Sequence, residues 1–161
     1  MSEAGTFFYA TEIEWSRDRE GKLSGSGVPI ISVGAPPEFK GREGNWSPEQ
    51  LFVGSVNTCL MLTFLAVAEN SKLQLVSFSS SAKGKLQKVE GAGYQITEII
   101  VKPRVVIASA DDLRRVPKIL EKAKEGCFIS NSIKSAVKLE PEVSFQQAEA
   151  VPSSIRTEPD E

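Results

Sequence analysis

The sequence predicts an α+β domain in which strands and helices come in separate runs. Three observations carry this. Strand-like alternation marks the N-terminal segment, and an 18-residue, largely apolar run covers residues 51–68. Two further strand-like stretches joined by a glycine turn follow that run, ahead of a second, amphipathic helix. A chain of 161 residues is long enough to bury a core of its own. Residues 1–147 are expected to form one domain, and the stretch AEAVPSSIRTEPDE, residues 148–161, a disordered tail.

Thr6 to Arg17 reads as the first strand, with Phe7, Tyr9, Ile13 and Trp15 separated by even steps. A polar turn over Arg17-Asp18-Arg19-Glu20-Gly21-Lys22 leads to a second strand, Leu23 to Val33, interrupted by Gly25, Gly27 and Pro29. The loop GAPPEFKGREGN then reaches Trp46. Ser47 can cap a helix, Pro48 suits its first position, and Gln50 completes an S-x-x-Q capping box. That helix should run to about Glu69-Asn70. Leu75–Val89 and Tyr94–Ala108 pair as a meander through EGAG, with Pro103 marking a bulge or an edge. Asp111 or Asp112 caps a second helix with the stripe Leu113, Val116, Ile119, Leu120 and Ala123; Pro117 delays its start by a turn and Gly126 ends it. A helical turn over Ser130–Ala136 and one last strand, Val137–Gln146, close the domain.

The long apolar run touches the lower edge of a membrane-span length. Gly54, Ser55, Asn57, Thr58 and Thr63 interrupt it and no Lys/Arg cluster flanks it, so a buried core helix is the better reading and no membrane partner is expected. Its apolar residues occupy nearly every face, and a helix apolar all round is surrounded by protein. In a chain this small, the surround should include a second subunit. A net charge of −2 leaves no electrostatic footprint for nucleic acid. The N-terminus MSEAGTFFYATEIEW lacks a basic stretch before an apolar one, so a cytoplasmic, reducing compartment is expected.

There are two cysteines and no histidine. That excludes Ser-His-Asp and Cys-His activation and leaves too few ligands for a zinc site, so neither metal nor cofactor is expected. A thiol is the leading nucleophile. Cys59 lies inside the apolar helix, whereas Cys127 follows a helix end and opens the polar run CFISNSIK, where it should be more mobile and accessible. An ordinary thiol is only about 3% ionised at pH 7, and burial lowers that further. Residue type alone therefore accounts for Cys59 equally well as a small core hydrophobe.

The string NWSPEQLFVGSVNTC, with CFISNSIK beginning 68 residues after Cys59, resembles the OsmC/Ohr family of thiol peroxidases. The resemblance spans roughly Tyr9 to Phe145, and PPEF-x-G before Trp46 is similar to a subset of OsmC-like proteins. It implies an α+β fold in which two subunits intertwine, antiparallel sheets packing around central long helices. It also implies active sites at the dimer interface that reduce organic hydroperoxides, with Cys59 peroxidatic and Cys127 resolving. An external dithiol, a dihydrolipoyl group being one candidate, would reset the pair. Arg19 matches the family's turn arginine and Glu49 the glutamate that holds it. Two departures stand out. Asp18 could pair with Arg19 and compete with Glu49, or Arg17 could take the role, and Cys127 is followed by Phe128 where many members have proline.

Ten residues of helix separate Glu49 from Cys59, about 15 Å of rise and some 80° around the axis. An arginine held by Glu49 would more easily reach the Cys59 of a partner subunit than that of its own helix. Trp46, Phe52, Met61 and Phe128 are the expected lining of an apolar substrate pocket. Two other functions fit the same residues: a non-enzymatic dimeric binder of apolar ligands, and a redox sensor that uses the same disulfide.

Overall fold

The computed structural model describes residues 5–146, so the tail expected over 148–161 lies outside the described residues. Three strands open the chain: β1 (Thr11–Arg17), β2 (Glu20–Gly25) and β3 (Ile31–Gly34), joined antiparallel in that order. The single strand expected over Leu23–Val33 is thus two. Gly27, at φ 75°, turns the chain between them, and Pro29 lies in the connection. The first strand begins at Thr11 rather than Thr6, and every residue of β1 is exposed.

Helix α1 (Pro48–Asn70) is where the sequence puts it. Ser47 accepts from the Gln50 amide at 3.2 Å while the Gln50 side chain accepts from the Ser47 amide at 3.0 Å, closing the capping box. Its other end is a Schellman motif. Lys72 adopts φ 54°, its amide bonds the Glu69 carbonyl, and the Leu73 amide reaches back to Ala68 at 2.9 Å.

Strands β4 (Leu75–Val89) and β5 (Gly93–Ile107) form the long hairpin. Two short strands, β6 (Ala136–Leu139) and β7 (Glu142–Phe145), then lie parallel to β5. The last expected strand is therefore split, at Glu140-Pro141. Pro103 is neither in a bulge nor at an edge: it is buried in the central strand β5, opposite Ser80, at the level of the gap between β6 and β7. A missing amide is tolerated where the neighbouring strand is itself interrupted.

Ser109 caps a 3-10 turn over Ala110–Asp112, and helix α2 (Val116–Glu125) starts after it with Arg115 as its cap residue. Neither expected aspartate caps α2; Asp112 instead accepts from Arg115 at 2.5 Å. Pro117 sits in the first helical turn, where no amide is missed. A single turn, α3 (Phe128–Asn131), follows, earlier than the turn expected over Ser130–Ala136, with Cys127 as its cap residue.

One core unites these elements. Val56, Leu60, Phe64 and Ala68 form a stripe on α1 that meets Ile99, Val101, Val105 and Ile107 of β5 and Val116, Ile119, Leu120 and Ala123 of α2. Helix and sheet approach closely at Gly84, where an added Cβ would lie 2.5 Å from Val53 Cγ2. The apolar surface of α1 outside that stripe stays uncovered in the protomer, Leu62 being 57% exposed. By length and composition α1 could cross a membrane. Ile13 and Trp15 of β1 are likewise 71% and 74% exposed.

Candidate active site

The thiols come together from distant parts of the chain. Gly126 closes α2 against α1, where an added Cβ would lie 3.3 Å from Thr63 Cγ2, one helical turn beyond Cys59. The chain then turns into α3. Its first amides, those of Phe128 and Ile129, have no partner within so short a helix and are directed at the Cys59 sulfur. Burial raises the Cys59 pKa, hydrogen bonds from the Ile129 amide, the Cys127 thiol, the Thr63 hydroxyl and the Phe128 amide lower it, and the net shift is downward. The Thr63 hydroxyl also lies near the sulfur, yet it has one proton and gives it to the Cys59 carbonyl at 2.8 Å. The two amides and Cys127 are therefore the groups with a proton free for the sulfur.

Cys127 shifts the opposite way. Burial pushes its thiol up, and the thiolate beside it adds to the effect. Ser130, three residues on, donates to its sulfur at 3.1 Å. The two thiols are thus shifted apart, Cys59 being the easier to ionise and Cys127 the harder, and both are unbridged. The expectation that Cys127 would be the more accessible of the two is corrected: Cys127 is fully buried and Cys59 only partly. The turn into α3 folds the sulfur inward and leaves the Phe128 ring outside, 80% exposed.

Arg19 and Glu49 belong to a second group of residues. Arg19 stands at the tip of the β1–β2 turn and donates through Nη1 to the Phe39 carbonyl at 2.7 Å. Its competitors are occupied: Arg17 pairs with Glu20 at 3.1 Å, and Asp18 with Arg42 at 3.4 Å. Among the described residues Arg19 has no carboxylate partner. Trp46 bonds back to β3, its amide to Ser32 and its carbonyl to the Gly34 amide, which fixes the start of α1 beside the N-terminal strands. Cavities of about 500, 730 and 460 Å³ meet at Glu49, whose Oε2 is buried without a hydrogen-bond partner among the described residues. Phe39 helps line the 730 Å³ cavity, so Arg19 is tied to its rim.

Within the chain the structure brings Cys59, Cys127 and Phe128 together at one place and sets Trp46 and Phe52 beside Glu49 at another, with Arg19 linked to the second only through the Phe39 carbonyl. Phe52 lines the 500 Å³ cavity and Trp46 the 460 Å³ one; neither Met61 nor Phe128 lines any cavity at Glu49. The sequence reading missed the amides of Phe128 and Ile129, which carry no side-chain signature, and the cavity walls Phe39, Leu86 and Tyr94. Phe39 and Tyr94 stack edge to face with centroids 5.9 Å apart, a contact between a loop and a hairpin end with no local signal.

The fold is thus α+β, with a histidine-free dithiol centre formed by Cys59 of the longest helix and Cys127 at the cap of α3. The OsmC-like protein family model matches residues 41–142, and this chain belongs to that family. It is 31% identical over 124 residues to an uncharacterized protein, YmaD, of Bacillus subtilis (strain 168), covering 75% of this chain and 82% of that one. It is also 28% identical over 102 residues to "Peroxiredoxin OsmC" of Escherichia coli (strain K12), covering 63% and 69% respectively. An OsmC-like protein of unknown function from Vibrio cholerae superposes with a TM-score of 0.79 at 26% identity, over 85% of this chain and 100% of that one. An organic hydroperoxide resistance protein OsmC from Legionella pneumophila, 24% identical, shares the fold with a TM-score of 0.65 over 86% of this chain and 99% of its own.

Proposed function

We propose that the protein is a thiol-dependent peroxidase that reduces organic hydroperoxides as a homodimer. The observation that carries this reading is the pairing of a Cys59 thiol shifted toward ionisation with a buried Cys127 thiol shifted away from it. The Cys59 thiolate attacks the distal oxygen of the hydroperoxide; the O–O bond breaks, a proton is taken up, and the products are an alcohol and a sulfenic acid on Cys59. The Cys127 thiol then attacks that sulfur, forming the disulfide and releasing water. An external dithiol, for which a dihydrolipoyl group is suitable, reduces the disulfide and returns both thiols. No metal or organic cofactor enters these steps. The peroxiredoxin name of the Escherichia coli relative supports the assignment.

Two features support the dimer. The uncovered apolar surface of α1 and the exposed Ile13 and Trp15 need a cover in water, and a second copy supplies one. Glu49 and Cys59 are about 15 Å apart along one helix, so Arg19 and Glu49 of one subunit serve the partner's thiolate. The arginine leaves the Phe39 carbonyl for the unpartnered Glu49 oxygen and presents its permanent charge to the sulfur. Both cysteines must stay reduced at rest, which fits the cytoplasm.

The test is peroxide consumption by wild type and Cys59→Ser, with dihydrolipoamide, glutathione and thioredoxin offered in parallel. Catalytic turnover with one of these, abolished in Cys59→Ser, is expected. Oxidation that stops after one equivalent with every reductant would overturn the enzyme in favour of a sensor.

A further inference from the structure

We propose that Ser130 is a catalytic residue of the resolving step, its hydroxyl and amide holding the Cys127 sulfur and stabilising the negative charge that sulfur carries as it attacks oxidised Cys59. This role rests on the peroxidase reading and adds one residue to the same centre.

The Ser130 hydroxyl departs from the habit of its neighbours. A serine or threonine within a helix ordinarily gives its proton to a carbonyl three or four residues back. Ser132 does so, to the Phe128 carbonyl at 2.7 Å, and so does Thr63, to the Cys59 carbonyl at 2.8 Å. Ser130 donates instead to the Cys127 sulfur at 3.1 Å, an intrinsically weak acceptor while it is a thiol. The Cys127 carbonyl, three residues back, is bonded by the Asn131 amide at 3.1 Å. The Ser130 amide bears on the same sulfur, so both protons of one residue converge there.

The frame around the pair is fixed. Asn131 Nδ2 donates to the Glu125 carbonyl at 2.9 Å, tying α3 to the end of α2. Cys127 is fully buried, and burial disfavours charge on its sulfur. A hydrogen bond to a neutral thiol is weak, whereas the same bond to a thiolate is charge-assisted and stronger. Ser130 therefore favours the attacking sulfur over the resting one, and only such a difference accelerates a step.

In that step an electron pair of the Cys127 sulfur forms the S–S bond. The S–O bond of the Cys59 sulfenic acid breaks with its pair on oxygen, and the Cys127 proton leaves with that oxygen as water. The Cys127 sulfur is oxidised and the Cys59 sulfur reduced. When resolution is slow, a second hydroperoxide reaches the sulfenic acid and converts it to sulfinic acid, releasing alcohol.

Single-turnover mixing of the full-length protein with cumene hydroperoxide, quenched and resolved by mass, follows the sulfenic acid and the disulfide separately. Ser130→Ala should slow disulfide formation at least about tenfold, the worth of one hydrogen bond to a charged group, with little change in the rate at which sulfenic acid appears. Sulfinic acid on Cys59 should accumulate under excess peroxide, and Ser130→Thr should restore resolution. A loss shared equally by both steps, or one that threonine does not restore, would overturn the role while the peroxidase stands. A second measurement needs no turnover. In Cys59→Ser, Cys127 is the one cysteine left, so thiolate absorbance against pH titrates it alone. Adding Ser130→Ala should raise the Cys127 pKa further, and an unmoved titration would overturn the proposal. A raised pKa in a protein whose wild type consumes no peroxide would leave the hold of Ser130 on Cys127 standing and remove the peroxidase.

Discussion

Arg19 donates to the main-chain carbonyl of Phe39 at 2.7 Å, while the aspartate next to it in sequence is engaged by Arg42. This separates the arginines of the first turn by function. Arg17 and Arg42 share Glu20, at 3.1 and 3.8 Å, and hold the hairpin. Arg19 is left with one neutral acceptor and can exchange it for a carboxylate at small cost.

Arg19→Ala should therefore slow oxidation of Cys59 at neutral pH by one to two orders of magnitude, through loss of the permanent cation that adds to the amides in favouring the thiolate. Glu49→Gln should slow it less, because the arginine stays but wanders. Arg17→Ala should leave the rate unchanged. Stopped-flow oxidation of the three variants checks this, and a loss in Arg17→Ala matching that in Arg19→Ala would move the role to Arg17.

The proposed sharing of the site between subunits has a complementation signature. Mixing inactive Cys59→Ser with the slowed Arg19→Ala should restore about a quarter of wild-type activity, since half the dimers are mixed and each carries one intact site. Leu62→Arg, at a position exposed in the protomer, should yield monomers that keep the α+β fold and lose activity. Sedimentation and peroxide assays on the two preparations provide the check. No recovery on mixing would confine the site to one chain.

The thiols should titrate in order. Cys59 is shifted down, so its alkylation rate should rise with pH and level off below the ordinary thiol range, before Cys127 begins to react. The signs for stability are opposite. The contribution of Cys59 is present above the ordinary thiol pKa and lost as pH falls through its lowered value. That of Cys127 is present below the ordinary pKa and lost as pH rises through its raised value. Cys127→Ala removes a donor to the thiolate and should raise the Cys59 pKa, an effect that Cys127→Ser reverses in part. Mass-resolved alkylation across a pH series distinguishes the two sulfurs.

Gly84→Ala should destabilise the fold by about 1–3 kcal/mol, because its methyl group would press into Val53. Val53→Ala in the same chain should recover part of that loss, and a double-mutant cycle in denaturant measures the coupling.

Much of the frame was legible from short-range chemistry. Ser47, Pro48 and Gln50 mark the start of α1 because each acts within one helical turn, and EGAG marks the β4–β5 turn for the same reason. The split of the second strand at Gly27 and the one-turn displacement of α3 went unread because competing local signals were of similar strength. The candidate site divides in the same way. Two cysteines and no histidine follow from the sequence, which confines the chemistry to a thiol. Its electrostatics do not. The amides facing Cys59 belong to residues some seventy positions away, and a main-chain amide is the same in every residue. Burial of Cys127 depends on how α3 turns back, and the freedom of Arg19 depends on Arg42, 24 residues from the aspartate it occupies. Sequence by itself determined which atoms can react and where the regular elements lie, since those depend on residue type and near neighbours. Only the tertiary structure decided which sulfur ionises more readily, because a pKa is set by whatever dipoles and charges packing brings within a few ångströms.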